Sequence, residues 1–137
     1  MPTLVDTNIL IDLLDRGSPW STWSATRIAD AAARGSLVIN PIIFAEIAGS
    51  FEDGSKLDES LPPHFFKRED LPWPAARRAG HAFTAYRKRG GARDRVLPDF
   101  LIGAHAAEAG YELLTRDPAR YRSYFPALVL IAPDSHP

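Results

Sequence analysis

Four acidic side chains in this 137-residue chain stand where chemistry could be done: Asp6, Glu46, Asp99 and Asp117. Asp6 follows a short apolar run, Thr3-Leu4-Val5, and Glu46 lies inside the apolar stretch Pro-Ile-Ile-Phe-Ala-Glu-Ile. Asp99 follows Pro98 at the head of another apolar segment, and Asp117 comes just after Tyr111-Glu112-Leu113-Leu114. Carboxylates brought together repel. Two unit charges about 5 Å apart cost roughly 3 kcal/mol at an effective dielectric of ~20. A raised pKa, a basic partner or a metal ion must offset that cost. Hard oxygen donors with no thiolate or imidazole among them suit magnesium, with manganese as a substitute. The chemistry favoured by such a site is phosphodiester hydrolysis. One ion lowers the pKa of the attacking water, and a second, if bound, stabilises the leaving oxygen.

Each acid taken alone has a plainer reading. Asp6 could simply cap the helix that follows it, and Glu46 could hold a structural ion pair. Asp99 and Asp117, each beside a proline, look like helix N-caps. The case for chemistry therefore rests on the elements that would bring the four together.

Thr3-Leu4-Val5 reads as a buried strand ending at Asp6. Thr7 or Asn8 can cap a helix bearing Ile9, Leu10, Leu13 and Leu14. Ser18-Pro19 offers a serine cap and a proline at the first helical position for a second helix ending near Gly35, with Trp20, Trp23, Ile28 and Ala31 inward. Leu37-Val38-Ile39 is a second strand, and Asn40-Pro41 opens a third helix carrying Glu46. Residues 49–63 are polar and broken by glycine and proline, which fits a short helical hairpin or a loop. His64–Lys67 forms an edge strand, and a long helix runs from about Pro74 to Arg89. Pro98-Asp99 opens a helix through Ala109, stopped by Gly110. Residues 111–114 and 128–131 supply the last two strands, with a helical turn or two after Asp117-Pro118. Strands alternating with helices imply an α/β layered fold with a largely parallel sheet. In such sheets, functional groups gather beyond the carboxyl ends of the strands where strand order reverses. Asp6, Glu46 and Asp117 all follow strands, and a right-handed crossover can bring Asp99 to the same edge.

Composition sets the outer bounds. Hydrophobic residues make up 45% and charged residues 24%, an ordinary globular balance. We expect one domain over residues 1–137. Cysteine is absent, which excludes disulfides, thiolate catalysis and cysteine-ligated zinc and fits a reducing cytosol. The apolar start carries Asp6 and Asp12 and no basic region, unlike a signal peptide, and no run approaches a membrane span. A cytoplasmic protein is the expectation. The net charge of -1 leaves nucleic-acid binding to a local patch. One exists: Arg77, Arg78, Arg87, Lys88, Arg89, Arg93 and Arg95 face a single nearby acid, Asp94. Arg87, Lys88, Arg89, Arg93 and Arg95 are the candidates for tracking a phosphate backbone toward Asp99. His64, His81, His105 and His136 show no ligand spacing, and His105 reads as a satisfied core residue.

The start Leu-Val-Asp-Thr-Asn-Ile-Leu-Ile-Asp-Leu-Leu resembles the opening motif of PIN-domain nucleases. The segment around Glu46 is similar to the family's second motif, and Pro98-Asp-Phe-Leu-Ile-Gly-Ala-His-Ala-Ala to its third. Leu114-Thr-Arg-Asp-Pro-Ala-Arg-Tyr-Arg-Ser-Tyr-Phe-Pro resembles the fourth, in the form typical of VapC-type toxins of bacterial toxin–antitoxin pairs. The resemblance implies a three-layer α/β/α sandwich around a mainly parallel five-stranded sheet. It also implies a magnesium-dependent endoribonuclease held inactive by a cognate antitoxin, and a homodimer. Asp6, Asp99 and Asp117 map onto metal ligands, and Glu46 onto the remaining acid, acting through water. Asn8 falls where a polar residue orients the first aspartate, and Thr115 where a hydroxyl stands near the metal. Both could equally be a simple cap and a strand-end hydroxyl. Phe51, Phe65, Phe66 and Trp73 flank the irregular middle, where residues 44–66 would offer a groove to an antitoxin segment.

Other readings remain. A PIN-type nuclease could serve RNA maturation or DNA processing outside a toxin system. A phospho-acceptor receiver needs a lysine after its last strand, and the lysines here are Lys56, Lys67 and Lys88. A silent binding scaffold is disfavoured by the complete acid set.

Overall fold

The chain builds its sheet from very short strands, mostly apolar except for the edge strand Phe66-Lys67-Arg68. In the computed structural model, which describes residues 1–91 and 96–137, these are β1 (Thr3–Val5), β2 (Leu37–Ile39), β3 (Phe66–Arg68), β4 (Glu112–Leu114) and β5 (Leu130–Ile131). They pair in parallel, in the order β3-β2-β1-β4-β5. Leu4, Val5, Val38, Ile39, Leu113 and Leu114 are fully buried, as strands covered on both faces require. Strand order reverses between β1 and β4, so the switch point of the sheet lies where Asp6 and Thr115 emerge.

Among the described residues seven helices connect the strands: α1 (Thr7–Leu14), α2 (Ser21–Arg34), α3 (Pro41–Ala48), α4 (Gly54–Ser60), α5 (Trp73–Lys88), α6 (Leu97–Ala109) and α7 (Ala119–Tyr124). Right-handed crossovers put α1 to α4 on one face and α5 to α7 on the other. Accordingly α1 packs on α2 and α3, α5 packs on α6, and α6 touches α7. The expected α/β sandwich with a five-stranded sheet is what forms, with β3 at an edge as anticipated.

Several local expectations need correction. Asp6 itself caps α1, its carboxylate accepting from the Thr7 amide, so neither Thr7 nor Asn8 is the cap. The second helix begins at Ser21 rather than at Pro19: the Ser18 hydroxyl donates to Asp12 and accepts from the Trp20 amide at 3.1 Å, in a turn that precedes the first helical residue. Its buried face is Ser24, Ile28 and Ala31, which leaves Trp20 exposed. Asp99 is not a cap but sits in the first turn of α6, and Asp117 precedes the Pro118 cap of α7. Asn40 does cap α3, accepting from the Ile43 amide at 3.0 Å. Gly110, at φ 71°, ends α6 in the left-handed conformation that glycine tolerates.

Between α6 and α7 the packing has no slack. A Cβ on Gly103 would lie 2.6 Å from Phe125 Cε2 and 2.9 Å from Tyr121 Cδ1. Gly103→Ala gains up to ~1 kcal/mol of helix propensity but must displace two buried rings, which costs ~1–3 kcal/mol. We expect a net loss of about 1 to 2 kcal/mol, read as a lowered urea midpoint at unchanged slope.

Candidate active site

Asp6 ends β1 with only 4% of its surface exposed. A buried carboxylate needs donors, and Asp6 has three. Oδ1 accepts from the Thr7 amide at 2.7 Å, while Oδ2 accepts from the Thr115 hydroxyl at 2.8 Å and the Tyr121 hydroxyl at 2.9 Å. Burial outweighs these bonds and, with the nearby Asp99 charge adding to it, pushes the Asp6 carboxyl up to about 6. The Tyr121 hydroxyl is raised well above its ordinary value, first by burial and then by the charges of Asp6, Asp99 and Glu46.

Thr115 directly follows β4 and is fully buried. Its hydroxyl donates to Asp6 and accepts from the Asn8 side-chain amide at 3.2 Å and the Asp117 backbone amide at 3.1 Å. Asn8 also accepts from the Arg116 amide at 3.1 Å, so it clasps the first turn of α1 to the loop after β4. Asn8 thus acts on Asp6 through Thr115.

Asp99 enters from the opposite face on α6, half-buried. Arg120 of α7 donates to its Oδ2 at 2.6 Å. The Asp99 carboxyl is nevertheless raised, first by burial, then by the Glu46 and Asp117 charges, against the pull of Arg120. Glu46 is exposed on α3, and its Oε1 accepts from the Thr7 hydroxyl at 2.7 Å. Asp117 is exposed in the loop between β4 and α7. Asp99 is thus within electrostatic reach of Glu46 and Asp117, and Asp6 within that of Asp99.

Among the described residues, no three acidic or imidazole side chains form a ready-made ion cage. Asp99 is drawn to Arg120, Asp6 to two hydroxyls and an amide, and Glu46 to Thr7. The donor chemistry still fits a hard divalent cation. Magnesium keeps much of its water and takes one or two protein carboxylates rather than a closed cage.

Five participants were not anticipated: Thr7, Arg120, Tyr121 and the pair Asp12–Arg116. Asp12 is 1% exposed, and it accepts from Ser18 at 2.9 Å, Ser24 at 2.6 Å and Arg116 Nε at 2.6 Å. The Arg116 guanidinium lies 5.7 Å from the Trp20 ring centre. This pins the residue between Thr115 and Asp117 to α1. The available signal was spacing: Asp12 is one turn after Asn8 on α1, and Arg116 sits between two candidate site residues. His105 is a core residue as expected, 1% exposed, with Nδ1 3.0 Å from the Asn40 amide and Nε2 3.6 Å from Glu69. Burial lowers its pKa, which keeps it neutral.

Of the basic candidates, Arg87 and Lys88 form the last turn of α5 and Arg89 caps it, all exposed. Arg89 stacks 5.4 Å over Tyr124, and Arg120 lies 5.6 Å over Tyr86 of α5, which places the end of α5 beside Asp99. Arg93 and Arg95 lie outside the described residues.

The PIN domain family matches residues 3–125, and the chain belongs to that family. No curated protein matches it in sequence. Its fold is similar to that of VapBC2 from Rickettsia felis bound to a promoter DNA fragment, at TM-score 0.74 and 18% identity over 96% of this chain and 98% of the other. VapBC-1 from nontypeable Haemophilus influenzae matches at TM-score 0.73 and 19% identity, with 96% and 98% covered. A toxin–antitoxin complex from Klebsiella pneumoniae matches at TM-score 0.62 and 26% identity, with 93% and 95% covered.

The raised Asp6 pKa makes stability depend on pH. Between pH 3.8 and about 6 the folded chain holds a proton that the unfolded chain releases. Stability in chelator should therefore fall as pH rises through that window, by ~2–3 kcal/mol from this group. Urea unfolding at pH 5 and pH 7.5 reads about half of it, ~1–1.5 kcal/mol, and Asp6→Asn should flatten the dependence.

Proposed function

We propose that this chain is a magnesium-dependent endoribonuclease and the toxin of a toxin–antitoxin pair, with Asp6, Glu46, Asp99 and Asp117 as its acids. Manganese would substitute for magnesium. The observation that supports the reading is that the Asp6 carboxyl, at the β1–β4 switch point, is raised in part by the charge of Asp99, and that of Asp99 in part by Glu46 and Asp117. Membership of the PIN domain family supports it, as does likeness in fold to solved toxin–antitoxin complexes.

In this reading Asp6, Asp99 and Asp117 hold the cation, and Asn8 and Thr115 keep Asp6 oriented. A bound divalent cation would supply Lewis acidity toward the phosphate and lower the pKa of water at the site. Glu46 is exposed and tethered through one oxygen to Thr7, which suits it to accept a proton from the attacking water. As the water oxygen bonds to phosphorus one ester P–O bond breaks, and the leaving oxygen takes a proton from solvent. Arg120 brings a guanidinium to the same edge, where its planar donors match a phosphodiester. Arg87, Lys88 and Arg89 would meet the RNA backbone beside the acids.

The antitoxin segment would lie along residues 44–66. Phe65 is 44% exposed there, and Phe44 lines a neighbouring cavity of about 260 Å³ with Pro41, Arg68 and Asp70. We propose a homodimer in the cytoplasm as the working form.

The decisive variant is Asp99→Asn. Its carboxyl is raised despite Arg120, so the surroundings disfavour the charge, and a neutral amide should leave the metal-free fold as stable or more so. Cleavage of labelled RNA in magnesium should drop by ~100-fold or more, the scale expected for losing a cation ligand. A folded Asp99→Asn protein that still cleaves at the wild-type rate overturns the assignment.

A further inference from the structure

A groove of about 830 Å³ lies away from the acids, along α5, bordered by Trp73, Arg77, Arg78, His81 and Glu108. Trp73 opens that helix with 88% of its surface exposed. An indole left in water gains nothing for the fold. It also begins a continuous stripe. Trp73, Arg77, His81, Thr84 and Lys88 recur at three- and four-residue spacing on one face, and all are exposed. Helix α5 holds Arg77, Arg78, Arg87 and Lys88 and no acid within its span. Arg78 pairs at 3.8 Å with Glu108, whereas Arg77 and Lys88 make no ion pair among the described residues. The last turn of α5 lies beside the acids: on its inner side Arg120 bridges Tyr86 to Asp99, so the stripe ends one helix width from them.

We propose that the outer face of α5 is a track for single-stranded RNA, with Trp73 as the platform on which an unpaired base stacks. The inference rests on the ribonuclease reading and extends it to the form of the substrate. Unpaired strands are gripped by cationic grooves that follow the backbone and by aromatic faces that take a base of any identity. A duplex keeps its bases stacked on one another and has none to offer Trp73. Trp73 and Lys88 are separated by roughly 22 Å of helix, a span that several nucleotides must cover. The same charge argues against a second copy of the chain here. A two-fold contact would set one acid-free basic face against itself.

The test measures binding in chelator, so that no cleavage is needed. A labelled oligouridine of about a dozen nucleotides, a trinucleotide and a duplex are titrated into the full chain and its variants. The wild type should prefer the long single strand. Trp73→Ala should weaken it roughly tenfold, consistent with losing one base stack, while leaving the trinucleotide and the thermal midpoint unchanged. Trp73→Phe should restore most of the loss. Arg77→Gln should reduce the slope of log affinity against log salt by about 0.7. Equal affinity of Trp73→Ala and wild type for the long strand overturns the inference, as does a wild type that binds no single strand. A fall from dimer to monomer in light scattering of Trp73→Ala also overturns it, by assigning the face to a second copy. None of these results bears on whether Asp99→Asn stops cleavage, which judges the nuclease reading separately.

Discussion

Everything at this site depends on one carboxylate held out of water. Asp6 stands at the end of a central strand, at the point where the order of strands turns back, and it is buried. An ion there costs several kcal/mol unless donors surround it. The chain supplies them from three places far apart in sequence: an amide of α1, a hydroxyl after β4 and a hydroxyl of α7. These bonds reduce the cost without removing it, and the carboxyl remains well above its ordinary range. A group so placed is poised to take either a proton or a cation.

Its neighbours are arranged as a consequence. Thr115 cannot donate to Asp6 unless its other contacts fix its rotamer, and Asn8 and the Asp117 amide do that. The loop carrying Thr115 must then stay against α1. Arg116 holds it there through Asp12, a second buried carboxylate neutralised by a guanidinium and two hydroxyls. The two acids are treated oppositely. Asp12 has a directly bound cation of its own, while Asp6 has hydroxyls and the charge of Asp99 for company. The one with its own countercharge serves structure. The one without it is the group with unspent affinity for positive charge.

Much of this was legible in the chain. Apolar triplets bounded by polar residues are hard to read as anything but buried strands, and Asn40-Pro41 and Gly110 mark helix ends by chemistry that depends on local geometry alone. The acids could be grouped because each follows a strand or opens a helix on the same side of a parallel sheet. The partners were harder. Arg120 meets Asp99 and Tyr121 meets Asp6 only because α7 folds over α6, a tertiary contact with no sequence period. The start of α2 was misplaced for a more local reason. Ser18-Pro19 has the composition of a cap, and Ser18 does accept from the Trp20 amide, but that bond closes a turn and the helix itself begins at Ser21.

Helix α6 shows how one element serves several of these contacts at once. Its first turn brings Asp99 to the acids. One turn on, Gly103 leaves room for Phe125 and Tyr121, without which the Tyr121 hydroxyl could not reach Asp6. Two residues further, His105 meets the Asn40 amide that caps α3, the helix carrying Glu46, and faces Glu69 beyond the edge strand. One helix thus sets the position of an acid directly, of a second through a tyrosine, and of a third through a cap. A shift of α6 along its axis would move all three relations at once. The close packing of a glycine, an alanine-rich face and a neutral histidine against the sheet is therefore part of the same constraint as the buried carboxylate, since the acids can be crowded only where their supports cannot relax.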